Sequence, residues 1–205
     1  MPAIGITGGI STGKTTFCEC LREILPKATF FDADRAAHDL AGNDPEVKEM
    51  IRQEFGPEIF SANGDLNRAQ MRSIVFADAE KRRALEQILH PRIRRQWSLE
   101  AESHRNSTEL FFADIPLLYE TSGQTLCDCV VVVACSPRVQ LERLMARMGI
   151  GESEAQQMIH AQMPLTEKIS RADHVVWNNG GRAELKEQAT VLLNLWRDGH
   201  CPVPN

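Results

Sequence analysis

The stretch Gly8-Gly9-Ile10-Ser11-Thr12-Gly13-Lys14-Thr15 constrains this chain more than any other feature. It fits the spacing G-x-x-x-x-G-K-[ST]. It stands between an apolar run, Ala3-Ile4-Gly5-Ile6-Thr7, and a segment with Phe17, Leu21 and Leu25 on one helical face, ending at Pro26. A loop of this kind between strand and helix turns its backbone N–H groups inward on phosphate oxygens and adds the positive end of the helix. Lys14 then reaches the terminal phosphates, and the Thr15 hydroxyl is placed to ligate Mg²⁺. The expectation is a site for a nucleoside triphosphate with magnesium, built on residues 8–15 and the adjoining Thr16.

Hydrophobic periodicity divides the rest of the chain into strands and helices in alternation, broken once by a long helical stretch. A second strand is expected at Ala28-Thr29-Phe30-Phe31. From about 34 to 106 apolar residues recur at helical spacing through Leu40, Val47, Ile51 and Phe55, then Met71, Val75 and Phe76, then Leu85, Ile88 and Leu89. Pro91 either interrupts the last of these helices or starts the next, because it lacks an amide hydrogen. The strand pattern returns at Leu110-Phe111-Phe112-Ala113 and at Val130-Val131-Val132-Val133, an unalternated β-branched run suited to burial on both faces of a parallel sheet. A helix over 137–148, helical signals over 152–172, a short strand His174-Val175-Val176-Trp177 and a helix with Leu185, Ala189, Leu192, Leu193 and Trp196 on one face follow. Five strands with intervening helices predict an α/β fold, a doubly wound five-stranded parallel sheet. The 205 residues suit one domain, with residues 35–106 as a helical insertion.

Composition removes several alternatives. Hydrophobic residues at 42% and charged residues at 25% are ordinary soluble usage, which argues against disordered and fibrous classes. The longest apolar run, Cys129 to Cys135, spans seven residues, whereas a bilayer needs about 20. Met1-Pro2-Ala3-Ile4 leads straight into a strand without a basic start and apolar stretch, so a cytoplasmic location and no membrane partner are expected. A net charge of −5 argues against a nucleic-acid partner. Cys18, Cys20, Cys127, Cys129, Cys135 and Cys201 show no C-x-x-C spacing, so reduced thiols are expected rather than a structural metal.

Beyond the loop, several residues carry candidate chemistry. Guanine recognition would want Asn/Thr-Lys-x-Asp and Asp-x-x-Gly in usable positions, and the chain has neither. Asp32 and Asp34 end the second expected strand, on the edge where open α/β sheets place ligands. They suit proton acceptance or magnesium, and Asp34 equally suits a helix N-cap. Asp114 follows another strand and is either a magnesium-side carboxylate or a turn residue before Pro116. Arg143 and Arg147 lie four apart on one helix face, a repulsive spacing unless an anion such as a triphosphate sits between them or both are solvated. His90 precedes Pro91 and is either acceptor-binding or structural. Asn178-Asn179-Gly180-Gly181 closes the last strand, at the ligand edge or as a plain turn.

Together these residues resemble the dephospho-coenzyme A kinase family of P-loop small-molecule kinases. The resemblance runs through Thr7-Gly8-Gly9-Ile10, Asp32-Ala33-Asp34 with His38 and Leu40, Leu66-Asn67-Arg68 with Met71-Arg72, and His90-Pro91-Arg92-Ile93-Arg94. It continues through Ile115-Pro116-Leu117-Leu118-Tyr119-Glu120, Gln140 with Arg143 and Arg147, Gln162-Met163-Pro164 with Glu167-Lys168, and Asn178. It implies a core for ATP and Mg²⁺, a helical part holding the small-molecule substrate dephospho-coenzyme A, and a lid at about 143–172 with flexible points at Gly149 and Gly151. In such a family the ribose 3′-hydroxyl attacks the γ-phosphate, in the last step of coenzyme A synthesis. Carried over, Asp34 is the base or hydroxyl-orienting group, Asp32 its partner near magnesium with Thr15 and Asp114, and Arg143 and Arg147 are lid charges. Residues 8–16 and Asn178 fall to the nucleotide, and His90, Arg94 and Leu117 to the acceptor. Ser11 stands where the family has glycine, which implies a left-handed backbone there, and Met148 stands where an acidic residue is common. A kinase for another small acceptor and a non-catalytic nucleotide binder are the competing expectations. No sequence signal bears on oligomeric state.

Overall fold

The computed structural model describes residues 3–105, 107 and 109–197, which fall into two compact units, residues 3–31 with 100–197 and residues 32–99. The first unit carries β1 (Ala3–Gly8), α1 (Lys14–Ile24), most of β2 (Thr29–Asp32), β3 (Phe111–Asp114), β4 (Cys129–Ala134), α6 (Pro137–Met148), α7 (Glu152–His160), α8 (Leu165–Ser170), β5 (His174–Trp177) and α9 (Arg182–Arg197). The second carries α2 (Ala33–Asn43), α3 (Pro45–Phe55), α4 (Arg68–Ala77) and most of α5 (Ala79–His104).

The five strands form one parallel sheet in the order β2-β3-β1-β4-β5, as the sequence pattern leads one to expect. β1 and β4 are buried along their whole lengths, which is why they read as unbroken apolar runs. Strand order reverses about β1, between β3 and β4. At such a switch point the loops leaving the strands part and open a crevice at their C-terminal ends. The register aligns Ile6 with Asp114 and Gly8 with Val133, so the glycine loop and the end of β3 emerge on the same edge.

One face of the sheet is covered by α1 and α9. Phe17 and Leu21 of α1 and Leu185, Ala189, Leu192, Leu193 and Trp196 of α9 pack on Ile4, Ile6, Phe112, Val131 and Val133. Full burial of each large side chain contributes about 1.5–3 kcal/mol. β5 is an edge strand, and the Gln188 carboxamide both accepts from the Trp177 N–H and donates to the Trp177 carbonyl, 2.9 Å each. That satisfies backbone groups which would otherwise template another strand.

Three expectations need correction at the level of elements. β2 and β3 each end one residue later than the apolar runs suggest, because Asp32 and Asp114 keep extended pairing although their side chains are polar. The helical signal over 152–172 is two helices, parted before Pro164, whose ring disfavours helical backbone at the preceding residue. Pro91 neither ends nor starts a helix but lies inside α5. Pro91 and Gln87, whose carbonyl loses its amide partner, are both exposed, so the gap is open to solvent.

In the second unit each α-helix start is capped by a side chain, that of α5 by Asp78, which accepts from the Glu80 and Lys81 N–H groups. Asp32 accepts from the Arg35 N–H at 2.9 Å, Asp44 from Glu46 and Val47, and Asn67 from Gln70. The cap of α2 is therefore Asp32, and Asp34 sits exposed in the first helical turn. Val47, Ile51, Phe55 and Ile59 are buried there, as are Met71, Ile88 and Ile93. Cys18, Cys20, Cys127, Cys129 and Cys135 are free thiols, and Cys201 lies outside the described residues. Among the described residues no helix is long and apolar enough to cross a membrane.

Candidate active site

The glycine loop leaves β1 at Gly8 and enters α1 at Lys14, and two of its residues have positive φ, Ser11 at 58° and Gly13 at 96°. The left-handed backbone expected at Ser11 is present. Gly13 precedes α1 and supplies no side-chain cap, so the first-turn amides of the helix are left for an anion. Close approach restricts side chains along the loop, most firmly at Gly8, where a Cβ would lie 2.5 Å from the Val133 carbonyl oxygen. A Cβ at Gly9 would lie 2.6 Å from Gln140 Nε2, and one at Gly13 would collide with Asn178 Nδ2.

Carboxamides from three elements hold the loop. Gln140 of α6 donates through Nε2 to the Ile10 carbonyl at 2.9 Å. Gln162, in the turn between α7 and α8, accepts from the Ile10 N–H through Oε1 at 3.0 Å. Asn178, buried just after β5, donates to the Thr12 carbonyl at 2.9 Å, and its own carbonyl accepts from Arg143 Nη1 at 2.8 Å. Inside the loop the Thr12 hydroxyl and N–H both donate to the Gly9 carbonyl. The Ser11 hydroxyl is buried and makes no hydrogen bond among the described residues.

Lys14 forms an ion pair with Asp114 at the end of β3. The two side chains are only 13% and 7% exposed, so each charge depends on the other. Burial, reinforced by the Asp114 carboxylate, pushes the neighbouring Cys18 thiol far up, which keeps it protonated and inert. Thr15 is exposed at the first turn of α1. Arg143 is half-buried against Asn178, whereas Arg147, one turn further along α6, is exposed. Leu117 follows Pro116, and its carbonyl accepts from the Thr121 N–H and hydroxyl at 3.0 and 2.8 Å.

The structure thus brings together residues 8–16, Asp114, Arg143 and Asn178. Asp32, Asp34, His90 and Arg94 belong to the second unit. His90 is half-buried, and that burial pulls its imidazole below the ordinary histidine range, with Glu86 opposing the shift. Sequence reasoning assigned no role to Gln140, Gln162 or Lys168, whose partners in the loop lie 130, 152 and 160 residues away, or to Glu120, which pairs with Lys168; contacts so far apart in the chain leave no periodic trace. Among the described residues no three His, Cys, Asp or Glu side chains cluster as a self-sufficient metal site. The Thr15 hydroxyl and the Asp114 carboxylate are oxygen donors of the kind magnesium takes, commonly one or two from the protein together with substrate phosphates.

A parallel sheet with a G-x-x-x-x-G-K-T loop at its switch point, an uncapped helix start and a lysine–aspartate pair defines a P-loop nucleotide-binding protein. Residues 2–184 match the family described as Dephospho-CoA kinase. The chain is 40% identical over 194 residues to the dephospho-CoA kinase of Bacillus cereus, covering 94% of this chain and 96% of that one. A crystal structure from Thermus thermophilus superposes with a TM-score of 0.74 at 33% identity, covering 94% and 96% of the two chains. Dephospho-CoA kinase from Campylobacter jejuni shares the fold, with a TM-score of 0.72 at 23% identity and coverage of 96% and 98%. This chain belongs to the dephospho-CoA kinase family.

Proposed function

We propose that the chain transfers the γ-phosphoryl group of ATP to the 3′-hydroxyl of dephospho-coenzyme A, giving coenzyme A and ADP. The observation that carries the phosphate half is Lys14, held by Asp114 beside the uncapped start of α1. The acceptor half rests on family membership over nearly the whole chain.

Phosphoryl transfer asks mainly for positioning and for charge neutralisation around a loose transition state. The amides of residues 8–16 and the Lys14 ammonium hold the phosphates, and Asn178 fixes the far end of the loop through Thr12. Magnesium, held by the Thr15 hydroxyl and Asp114 with the phosphates, would supply further positive charge when bound. A phosphate competing for Lys14 would free the Asp114 carboxylate for that duty. Arg143 and Arg147 serve as lid charges, and closure within the segment about 143–172, around the points where Gln162 and Lys168 are fixed to the loop, keeps water from the γ-phosphate. Asp34 is the group that orients the acceptor hydroxyl and takes its proton, with Asp32 beside it in sequence. His90, Arg94 and Leu117 serve acceptor binding.

The test is a product assay with Mg-ATP and a panel of dephospho-coenzyme A, nucleoside monophosphates and small sugars. Coenzyme A and ADP formed in equal amounts, with dephospho-coenzyme A clearly preferred, is the expected result. Preference for another acceptor overturns the acceptor half, and nucleotide binding without transfer overturns both.

A further inference from the structure

Lys168 of α8 is fully buried, an unusual setting for a lysine, and its ammonium has three donors to place. All three find acceptors. Nζ lies 3.2 Å from the Gly8 carbonyl, 2.9 Å from the Pro116 carbonyl and 2.9 Å from Glu120 Oε1. Gly8 is the first residue of the phosphate loop, and Pro116 lies just past the end of β3. The Pro116 carbonyl also accepts from the Thr7 hydroxyl at 3.0 Å, so this one ammonium bridges the exits of β1 and β3. Glu120 in turn accepts from the Met163 N–H at 3.0 Å, which pins the turn between α7 and α8. The preceding residue, Gln162, is the one whose carboxamide meets the Ile10 N–H.

Burying the lysine half of an ion pair is often no more stable than an apolar replacement of similar volume, and Glu120 keeps a side chain 22% exposed, so charge balance alone does not account for Lys168. What distinguishes it is where its hydrogen bonds end. Because the peptide unit is planar, a donor fixed on the Gly8 carbonyl fixes the plane of the Gly8–Gly9 unit, the first of the loop. The same network sets the Gln162 side chain against the loop two residues later.

We infer that Lys168 is a positioning residue for phosphoryl transfer, acting through Glu120 and Gln162 to set the phosphate loop and the base of the lid in one register. It touches no substrate itself. This rests on the kinase reading above for its activity readout, whereas its nucleotide-affinity readout does not depend on which acceptor is used.

The test compares wild type with Lys168→Met, the double variant Lys168→Met/Glu120→Gln, and Gln162→Ala. The double variant removes both charges at nearly constant volume, so the Glu120 carboxylate is not left without its cation. If the pair only balances charge, this variant recovers wild-type turnover. Positioning predicts that kcat stays down by about 10²-fold, the scale of a small misplacement of reacting groups. The affinity for Mg-ADP, titrated calorimetrically without acceptor, should weaken, and KM for dephospho-coenzyme A should stay near wild type. Gln162→Ala changes a half-buried turn residue, and its kcat should fall by about tenfold or more with the melting temperature kept. A double variant that folds and turns over within about twofold of wild type overturns the inference. If the Lys168 variants do not fold, Gln162→Ala decides, and normal kcat with normal Mg-ADP affinity overturns it. A wild-type protein that binds Mg-ADP but ignores dephospho-coenzyme A overturns the acceptor reading and leaves the affinity comparison intact.

Discussion

Lys14 and Asp114, 100 residues apart in the chain, meet as a nearly buried ion pair where β1 and β3 end side by side. Their pairing means that removing the lysine does two separable things. Lys14→Ala withdraws the charge aimed at the β and γ phosphates, and turnover should fall by about 10³-fold or more. It also strands a carboxylate in a dry site, so the melting temperature should drop. Lys14→Met/Asp114→Asn should restore much of the melting temperature and none of the turnover. Recovery of activity in the double variant would show that this loop is not the catalytic one.

Ser11 holds φ at 58°, which strains a residue with a Cβ by roughly 1–2 kcal/mol. Its buried hydroxyl has no partner among the described residues, so deleting it breaks no bond there. Ser11→Gly should keep activity and leave thermal stability unchanged or raised, with the gain limited by the larger unfolded-state entropy of glycine. A clear fall in melting temperature would contradict the strain argument.

Asp32 and Asp34 separate into different duties. Asp32 caps α2, so Asp32→Ala should lower stability by about 1 kcal/mol while Asp32→Asn spares it. Asp34 is not the cap. Asp34→Asn should leave Mg-ADP affinity intact and lower kcat by about 10² to 10⁴, the range of assistance by a general base. Near-normal kcat would remove Asp34 from that role and move the search to Asp32.

Arg143 and Arg147 share a helix face but not an environment. Arg143 is fixed on the Asn178 carbonyl, whose residue holds the Thr12 carbonyl, so Arg143→Ala should loosen the loop as well as remove a charge. It should lower both kcat and nucleotide affinity. Arg147 is exposed, and Arg147→Ala should lower kcat with smaller effects on affinity and stability. Unchanged turnover in both variants would make them solvated surface arginines.

His90 gives a pH dependence whose sign follows from burial. Its pKa in the folded protein lies below the ordinary value of 6.5, so its contribution is full above that value. As pH falls through it, the unfolded chain takes up the proton more readily than the folded one, and stability is lost. The melting temperature of wild type should therefore fall more between about pH 7.5 and about pH 5.5 than that of His90→Gln. Equal slopes would place the titration elsewhere.

The local parts of this molecule are legible in the chain itself. The glycine loop, the unbroken apolar strand β4, the helix α6 from Pro137 and the apolar face of α9 follow from spacing, because the periods of helix and strand repeat along the sequence. Positive φ at Ser11 follows as well, from the glycine usual in related loops. Only the tertiary structure decides which side chains meet. Pro91 reads as a helix boundary, yet α5 continues through it, since an exposed carbonyl can be satisfied by water. Asp34 reads as the alternative helix cap, yet the backbone of β2 makes Asp32 the cap. Lys14 with Asp114, Gln162 with Ile10 and Lys168 with Gly8 are contacts across 100, 152 and 160 residues. Each depends on strand order, parallel register and the turn after α7, all settled by packing rather than by any neighbour in sequence.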